Sequence, residues 1–210
     1  MINVEGLKFG RIGERALFLA IDLQTMFSET SKWASPAVGR VLPAIEECVA
    51  WAPERTVFTR FLTPSGIEDA KGQWRRFYAD TPSMLAAGLA PDAFEIVPRL
   101  RAYIPPAAVI DRFVYSVFAS RRLREILSER QPDTLIFGGI EIDVCVLASL
   151  MDAIDFGYRV IVLKDGVASS QAAGEAAMLN GLLPRFEQQV ELVDADILLR
   201  NWQVVEAGRA

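Results

Sequence analysis

The chain of 210 residues contains no histidine. That absence excludes the Ser–His and Cys–His pairs common in nucleophilic catalysis and removes the commonest ligand of zinc and iron. Any general base has to be a carboxylate or a less usual group, and neither a catalytic metal nor another cofactor is expected. Cysteine is scarce too, with Cys48 and Cys145 the only two. Two thiols so far apart are no disulfide framework, and a reducing compartment is their natural setting. No apolar run approaches a membrane span, and Met1-Ile-Asn-Val-Glu-Gly6 lacks the charged-then-apolar build of a signal segment. A cytoplasmic protein with no membrane partner is expected. A basic stripe is also missing: 22 lysines and arginines are interspersed with 27 aspartates and glutamates, for a formal net charge of −5. Nucleic acid is therefore not an expected partner.

What the chain has is apolar surface, 51% of its residues, broken into short runs. The length and the lack of repeats or linkers fit one domain over residues 1–210. Thr134–Phe137, closed by Gly138-Gly139, reads as a strand buried on both faces. Ala16–Ile21, Arg55–Phe61, Ala107–Arg112, Tyr158–Asp165 and Gln189–Asp194 read as further strands. Helical spacing lies between them. It runs over Val38–Trp51, with Cys48 facing the core, and around Leu123–Leu127. A third helix follows an Asp143 N-cap through Val146, Leu147, Leu150, Met151 and Ile154 to a stop at Gly157. Ser170–Leu183, capped by Ser169 or Ser170, and Ile197–Trp202 complete the set. Strands and helices in this rhythm predict a mostly parallel sheet covered on both sides. Met26–Ser35 reads as a loop or a broken turn. The irregular stretch from Ile67 to Tyr103, with Gly72-Gln-Trp-Arg-Arg-Phe-Tyr78, suits a binding segment.

Cys145 falls in the first turn of a helix, just past a buried strand. Unpaired N–H groups and the helix dipole there favour a thiolate and could hold an oxyanion. The competing reading is a small buried apolar residue, the usual fate of a free cysteine. Asp22, Arg112 and Cys145 lie at the carboxyl ends of three different strands, where parallel sheets bind their ligands.

Three motifs in order carry a resemblance across Ala16 to Trp202: Ala20-Ile-Asp-Leu-Gln24, Val109-Ile-Asp-Arg-Phe-Val-Tyr-Ser-Val-Phe118, and Gly138-Gly-Ile-Glu-Ile-Asp-Val-Cys-Val146. Together they resemble the isochorismatase-like cysteine hydrolases, in a metal-free branch. The resemblance implies a three-layer α/β/α sandwich with a six-stranded sheet. It also implies hydrolysis of a small amide, carbamoyl or related C–N bond. Asp22 would be the base, Cys145 the nucleophile, and Val144 and Cys145 the oxyanion-hole donors beside a cis Ile140–Glu141 peptide. Position 112 is Arg where the family has Lys; the charge is kept, but a guanidinium passes no proton. Substrate contacts are expected from Gln24, Phe27, Arg60, Trp74 and Tyr115. Nicotinamidase-type members hold a metal with an aspartate and two histidines, which disfavours that activity here. Other outcomes are a diverged member that binds without turnover and a vinyl-ether hydrolase with Asp22 as acid. The family commonly forms homo-oligomers, so a dimer or tetramer acting on a small molecule is expected.

Overall fold

Leu17–Ile21 carries no polar side chain and forms the first strand, β1, buried along its whole length. The computed structural model describes residues 6–28 and 31–204. After β1 come a single helical turn α1 (Thr25–Ser28), the long helix α2 (Ala37–Trp51), β2 (Thr56–Phe61), α3 (Trp74–Asp80), α4 (Pro98–Arg101) and β3 (Ala108–Arg112). The second half runs α5 (Arg121–Arg130), β4 (Thr134–Ile140), α6 (Leu147–Asp155), β5 (Arg159–Ala168), α7 (Ala172–Ala177), β6 (Val190–Val193) and α8 (Ala195–Asn201).

The strands form one sheet in the order β3-β2-β1-β4-β5-β6, and every neighbouring pair is parallel. The alternation of side chains along β1 divides the core. Phe18 and Ala20 pack with Val41, Ile45 and Cys48 of α2 and Leu198 of α8. Leu17, Leu19 and Ile21 pack on the opposite face with Leu123 and Ile126 of α5 and Leu150 of α6. The sheet is thus covered on both faces, as the apolar runs predict, and each fully buried aliphatic or Phe side chain contributes about 1.5–3 kcal/mol. A smaller cluster of Met26, Phe61, Met84 and Ala93 holds the irregular region after β2. No helix among the described residues is long and apolar enough to cross a membrane.

Local differences from the sequence reading have identifiable causes. Asp143 does not cap α6. Ile142–Val146 instead makes a wide π turn preceded by Glu141, whose carbonyl accepts from the Val146 N–H at 3.1 Å. The helix expected from Ser170 starts at Ala172, because the Ser169 hydroxyl accepts from the Gln171 N–H at 3.0 Å and holds that segment in a turn. It passes into a second wide turn at Met178–Leu182. Met26–Ser35, read as a loop or a broken turn, begins within the single turn α1.

The chain leaves β1 toward β2 and β3, then crosses back to lay β4 on the other side of β1. The crevice beyond β1 and β4 is the point where strand order reverses, the usual ligand position in such sheets.

Candidate active site

Asp22 follows β1 directly and has a φ of 55°, a left-handed conformation that Asp tolerates better than most residues. Thr59 of β2 fixes it there. The Thr59 hydroxyl accepts from the Asp22 N–H at 3.2 Å and donates to Asp22 Oδ1 at 2.8 Å. Asp22 Oδ2 accepts from Arg112 Nη2 at 2.5 Å. Arg112 ends β3 and pairs in register with Phe61, so its side chain crosses the end of β2 to reach β1. On the way it passes 5.3 Å from the centroid of the Phe61 ring, and its Nη1 donates to the Val114 carbonyl at 2.6 Å. Both partners of the ion pair have side chains only 1% exposed. Removing one of such a pair costs roughly 3–5 kcal/mol, because the other charge is left buried and uncompensated.

Cys145 sits in the wide turn between β4 and α6 and is buried. Asp22 and Arg112 both act on its thiol through their charges. Burial pushes the thiol well above its ordinary value, the Asp22 carboxylate pushes the same way, and Arg112 opposes them. The resting group is therefore a protonated thiol beside a carboxylate. This corrects the expected first-turn thiolate: desolvation and a neighbouring negative charge outweigh what a helix start offers. Cys48 is fully buried in the core as expected, and burial pushes its thiol up as well.

Two close contacts place the sulfur. Gly139 has a φ of 114°, and a Cβ there would stand 2.1 Å from the Ile21 carbonyl oxygen, so only glycine lets the end of β4 approach β1 this closely. Behind the turn, the buried Ser149 hydroxyl donates to the Cys145 carbonyl at 2.7 Å and accepts from the Val117 N–H at 3.1 Å. It ties α6 to the segment following β3. The Ile140–Glu141 peptide is cis. The Val144 N–H donates to the Glu141 carbonyl at 3.0 Å, so it is engaged within the turn rather than turned toward a substrate.

A cavity of about 540 Å³ opens over Asp22 and Cys145. Phe27, Trp33, Phe61, Phe77 and Tyr115 give it aromatic walls, with Lys32 and Glu141 its other charged residues. Phe27 and Tyr115 are thus where the sequence reading expects them. Gln24 is not available to a substrate: its amide donates to the Phe61 and Phe94 carbonyls, both at 3.1 Å, and accepts from the Phe61 N–H at 2.7 Å. Arg60 is likewise turned away, bonded to Asp111 at 2.7 and 2.9 Å and paired with Glu95 at 3.5 Å. Trp74 stands behind the wall, its ring 4.9 Å from that of Tyr115. Thr59, Ser149, Trp33 and Phe77 take part without having been singled out. Thr59, Phe77 and Ser149 lay within stretches whose pattern drew attention, and Trp33 within one read as a loop or a broken turn.

Residues 16–194 match the isochorismatase domain. Nicotinamidase 3 of Arabidopsis thaliana is 27% identical over 188 residues, covering 89% of this chain and 88% of that protein. An uncharacterised isochorismatase family protein of Bacillus subtilis (strain 168), PncA, is 37% identical over 76 residues, which are 36% of this chain and 42% of that protein. Among solved structures, a cysteine hydrolase from Pseudomonas syringae pv. phaseolicola 1448A shares the fold, with a TM-score of 0.75 at 20% identity over 89% of this chain and 92% of that one. Among the described residues, no group of three or more acidic, cysteine or histidine side chains gathers where it could hold a metal ion.

Proposed function

The chain belongs to the isochorismatase family, and from that premise we propose a hydrolase of small amide, carbamoyl or related C–N bonds that works through a covalent intermediate on Cys145. Asp22 takes the thiol proton as the sulfur bonds to the carbonyl carbon and the π pair moves onto oxygen. The Cys145 N–H donates to that oxyanion; the Val144 N–H joins it by releasing or sharing its bond to Glu141. The oxyanion collapses, the C–N bond breaks, and the amine leaves with the proton held by Asp22. Water then loses a proton to Asp22 and attacks the thioester carbon. Its C–S bond breaks and the departing sulfur recovers the proton, restoring the thiol. Arg112 positions Asp22 and holds positive charge at the site throughout, without passing a proton.

The observation that carries this reading is that Asp22, ion-paired with Arg112, and Cys145 open onto one cavity, where a protonated thiol lies in the field of its base. The amide class draws support from the relative named as a nicotinamidase. The aromatic walls favour a substrate with a flat, apolar body. A chain without histidine cannot supply the histidine ligands of metal-dependent members, so the residues here work by acid–base and nucleophilic chemistry.

The test is a screen of aryl and alkyl amides and carbamoyl compounds, scored by ammonia or amine release, with Cys145→Ser as the blank. A substrate should emerge among the flat amides, and Asp22→Asn should lower its turnover by roughly 10²–10⁴-fold. Turnover undiminished in both variants would remove Asp22 and Cys145 from the chemistry.

A further inference from the structure

Three residues at the rim of the cavity over Cys145 are held by side chains from other parts of the chain. Ser170 and Gln171 are exposed and line the cavity, bringing a hydroxyl and a carboxamide to a space with aromatic walls. With Ser169 they make the turn between β5 and α7, and all three of its backbone N–H groups donate to side chains. Ser169 donates to Glu175 Oε2 at 2.9 Å, Ser170 to Glu141 Oε1 at 3.0 Å and Gln171 to the Ser169 hydroxyl at 3.0 Å. The Ser169 carbonyl accepts from Arg40 Nη2 at 3.0 Å. Arg40 comes from α2 and clasps Glu175 with both terminal guanidinium nitrogens, at 2.8 and 3.3 Å. Burial alone would raise the Glu175 carboxyl, but the Ser169 N–H and Arg40 outweigh it and hold the group below its ordinary value. Glu175 is therefore an anion at neutral pH.

The same turn is seated against the segment that carries the nucleophile. Glu141 follows the cis peptide, and its carbonyl accepts from the Val144 and Val146 N–H groups on either side of Cys145. A Cβ on Gly174 would stand 2.0 Å from Asp143 Oδ2, so α7 lies directly on the wide turn. Glu175 and Arg40 themselves stand outside the cavity lining, so any effect they have on a bound molecule passes through residues 169–171. We propose that Glu175 is a positioning residue for substrate binding. Backed by Arg40, and with Glu141 on the cavity side, it seats residues 169–171 as a preformed polar lip that sets affinity for the substrate without altering the attack by Cys145. The inference rests on reading this cavity as the substrate site. A segment that has to be ordered on binding lowers affinity, so releasing the lip weakens binding. Asp22 and Cys145 keep their own supports in Thr59, Arg112 and Ser149.

Iodoacetanilide is the probe, a flat amide that alkylates a thiol: the sulfur–carbon bond forms, iodide leaves and the thiol proton passes to Asp22. It needs no hydrolysis, so a failure here is separate from a failure to find a substrate. The full chain is labelled at rising probe concentrations, and peptide mass spectrometry follows Cys145. The wild-type rate should saturate. Glu175→Ala should raise the half-saturating concentration about tenfold, the effect of losing one charge-assisted hydrogen bond, with the limiting rate within about twofold. Glu175→Gln keeps an acceptor for the Ser169 N–H and loses only a half-exposed ion pair, so it should stay within about threefold of wild type. Iodoacetamide, which lacks the ring, should label Cys145 equally fast in all three proteins. Circular dichroism melts establish that both variants fold. Three results would overturn the assignment: a wild-type rate that never saturates, a half-saturating concentration unchanged in Glu175→Ala, or a fall confined to the limiting rate.

Discussion

The Cys145 sulfur is held between opposite charges, and removing either should move its reactivity in a known direction. Burial and the Asp22 carboxylate keep the proton on the thiol, while Arg112 favours its loss. Asp22→Asn removes the opposing charge and leaves the guanidinium in place. Iodoacetamide labelling of Cys145 at neutral pH should then become several-fold faster, since each unit of thiol pKa changes the thiolate fraction about tenfold. Arg112→Gln should slow it, and Cys48, enclosed in the core, should stay unlabelled in both. Peptide mass spectrometry reads all three; slower labelling in Asp22→Asn would contradict this balance of charges. Asp22 and Cys145 were legible in the sequence because a chemically able residue at a strand's carboxyl end stands out. The state of the thiol was not, because burial and the approach of a carboxylate are properties of packing. Gln24 and Arg60 looked available for the same reason: their partners, Phe61, Phe94 and Asp111, come from other parts of the chain. Thr59 was hidden differently, since a threonine in a strand is unremarkable until its hydroxyl is seen bridging the backbone and side chain of Asp22.

Strand β4 and the turn after it form the element that delivers the nucleophile, and its tolerance for change is narrow. Gly139→Ala would place a methyl group against the Ile21 backbone at a left-handed φ, where neither side chain nor strand has freedom to yield. A loss of about 3–5 kcal/mol is expected from the clash and the backbone strain together. Urea unfolding of the variant measures it, and a loss under about 1 kcal/mol would show that β4 can move away from β1. Strand positions were readable because strands buried on both faces are written as continuous apolar runs. Strand ends were less so. β5 continues to Ala168 although Lys164 and Asp165 are charged. The pairing jumps from Phe137↔Val162 to Gly139↔Val167, so residues 163–166 span the one position opposite Gly138; Leu163 stays buried and paired with Val193, while Lys164 and Asp165 reach solvent. The start of α6 was misread because Asp143 has the look of a cap. A wide turn takes in an extra residue before the helix, and no side-chain periodicity records that.

For the molecule as a whole, the two buried thiols make stability depend on pH in one direction. Both keep their protons in the folded state, whereas the unfolded chain releases them above about pH 8.5. Stability is therefore undiminished by the thiols below that value. It should fall as pH rises beyond it, by about 1.4 kcal/mol per pH unit for each thiol. Chemical denaturation between pH 7 and 10 should show this slope, and Cys48→Ala should reduce it by one thiol's share; an unchanged slope in Cys48→Ala would mean that its thiol ionises alike in both states. The α/β/α architecture was legible at this scale, since strand and helix runs alternate through the chain; the strand order that brings β1 beside β4 came from the fold. The central claim is that Cys145 attacks the substrate carbonyl, and an intact-mass measurement tests it most directly. The protein is mixed with a p-nitrophenyl ester of the acid from its best amide substrate, so that acylation outpaces release, and quenched in acid. The expected result is a mass increase equal to the acyl group, mapped to Cys145 and absent from Cys145→Ser. Product release at the wild-type rate by Cys145→Ser, with no acyl group on the protein, would contradict it.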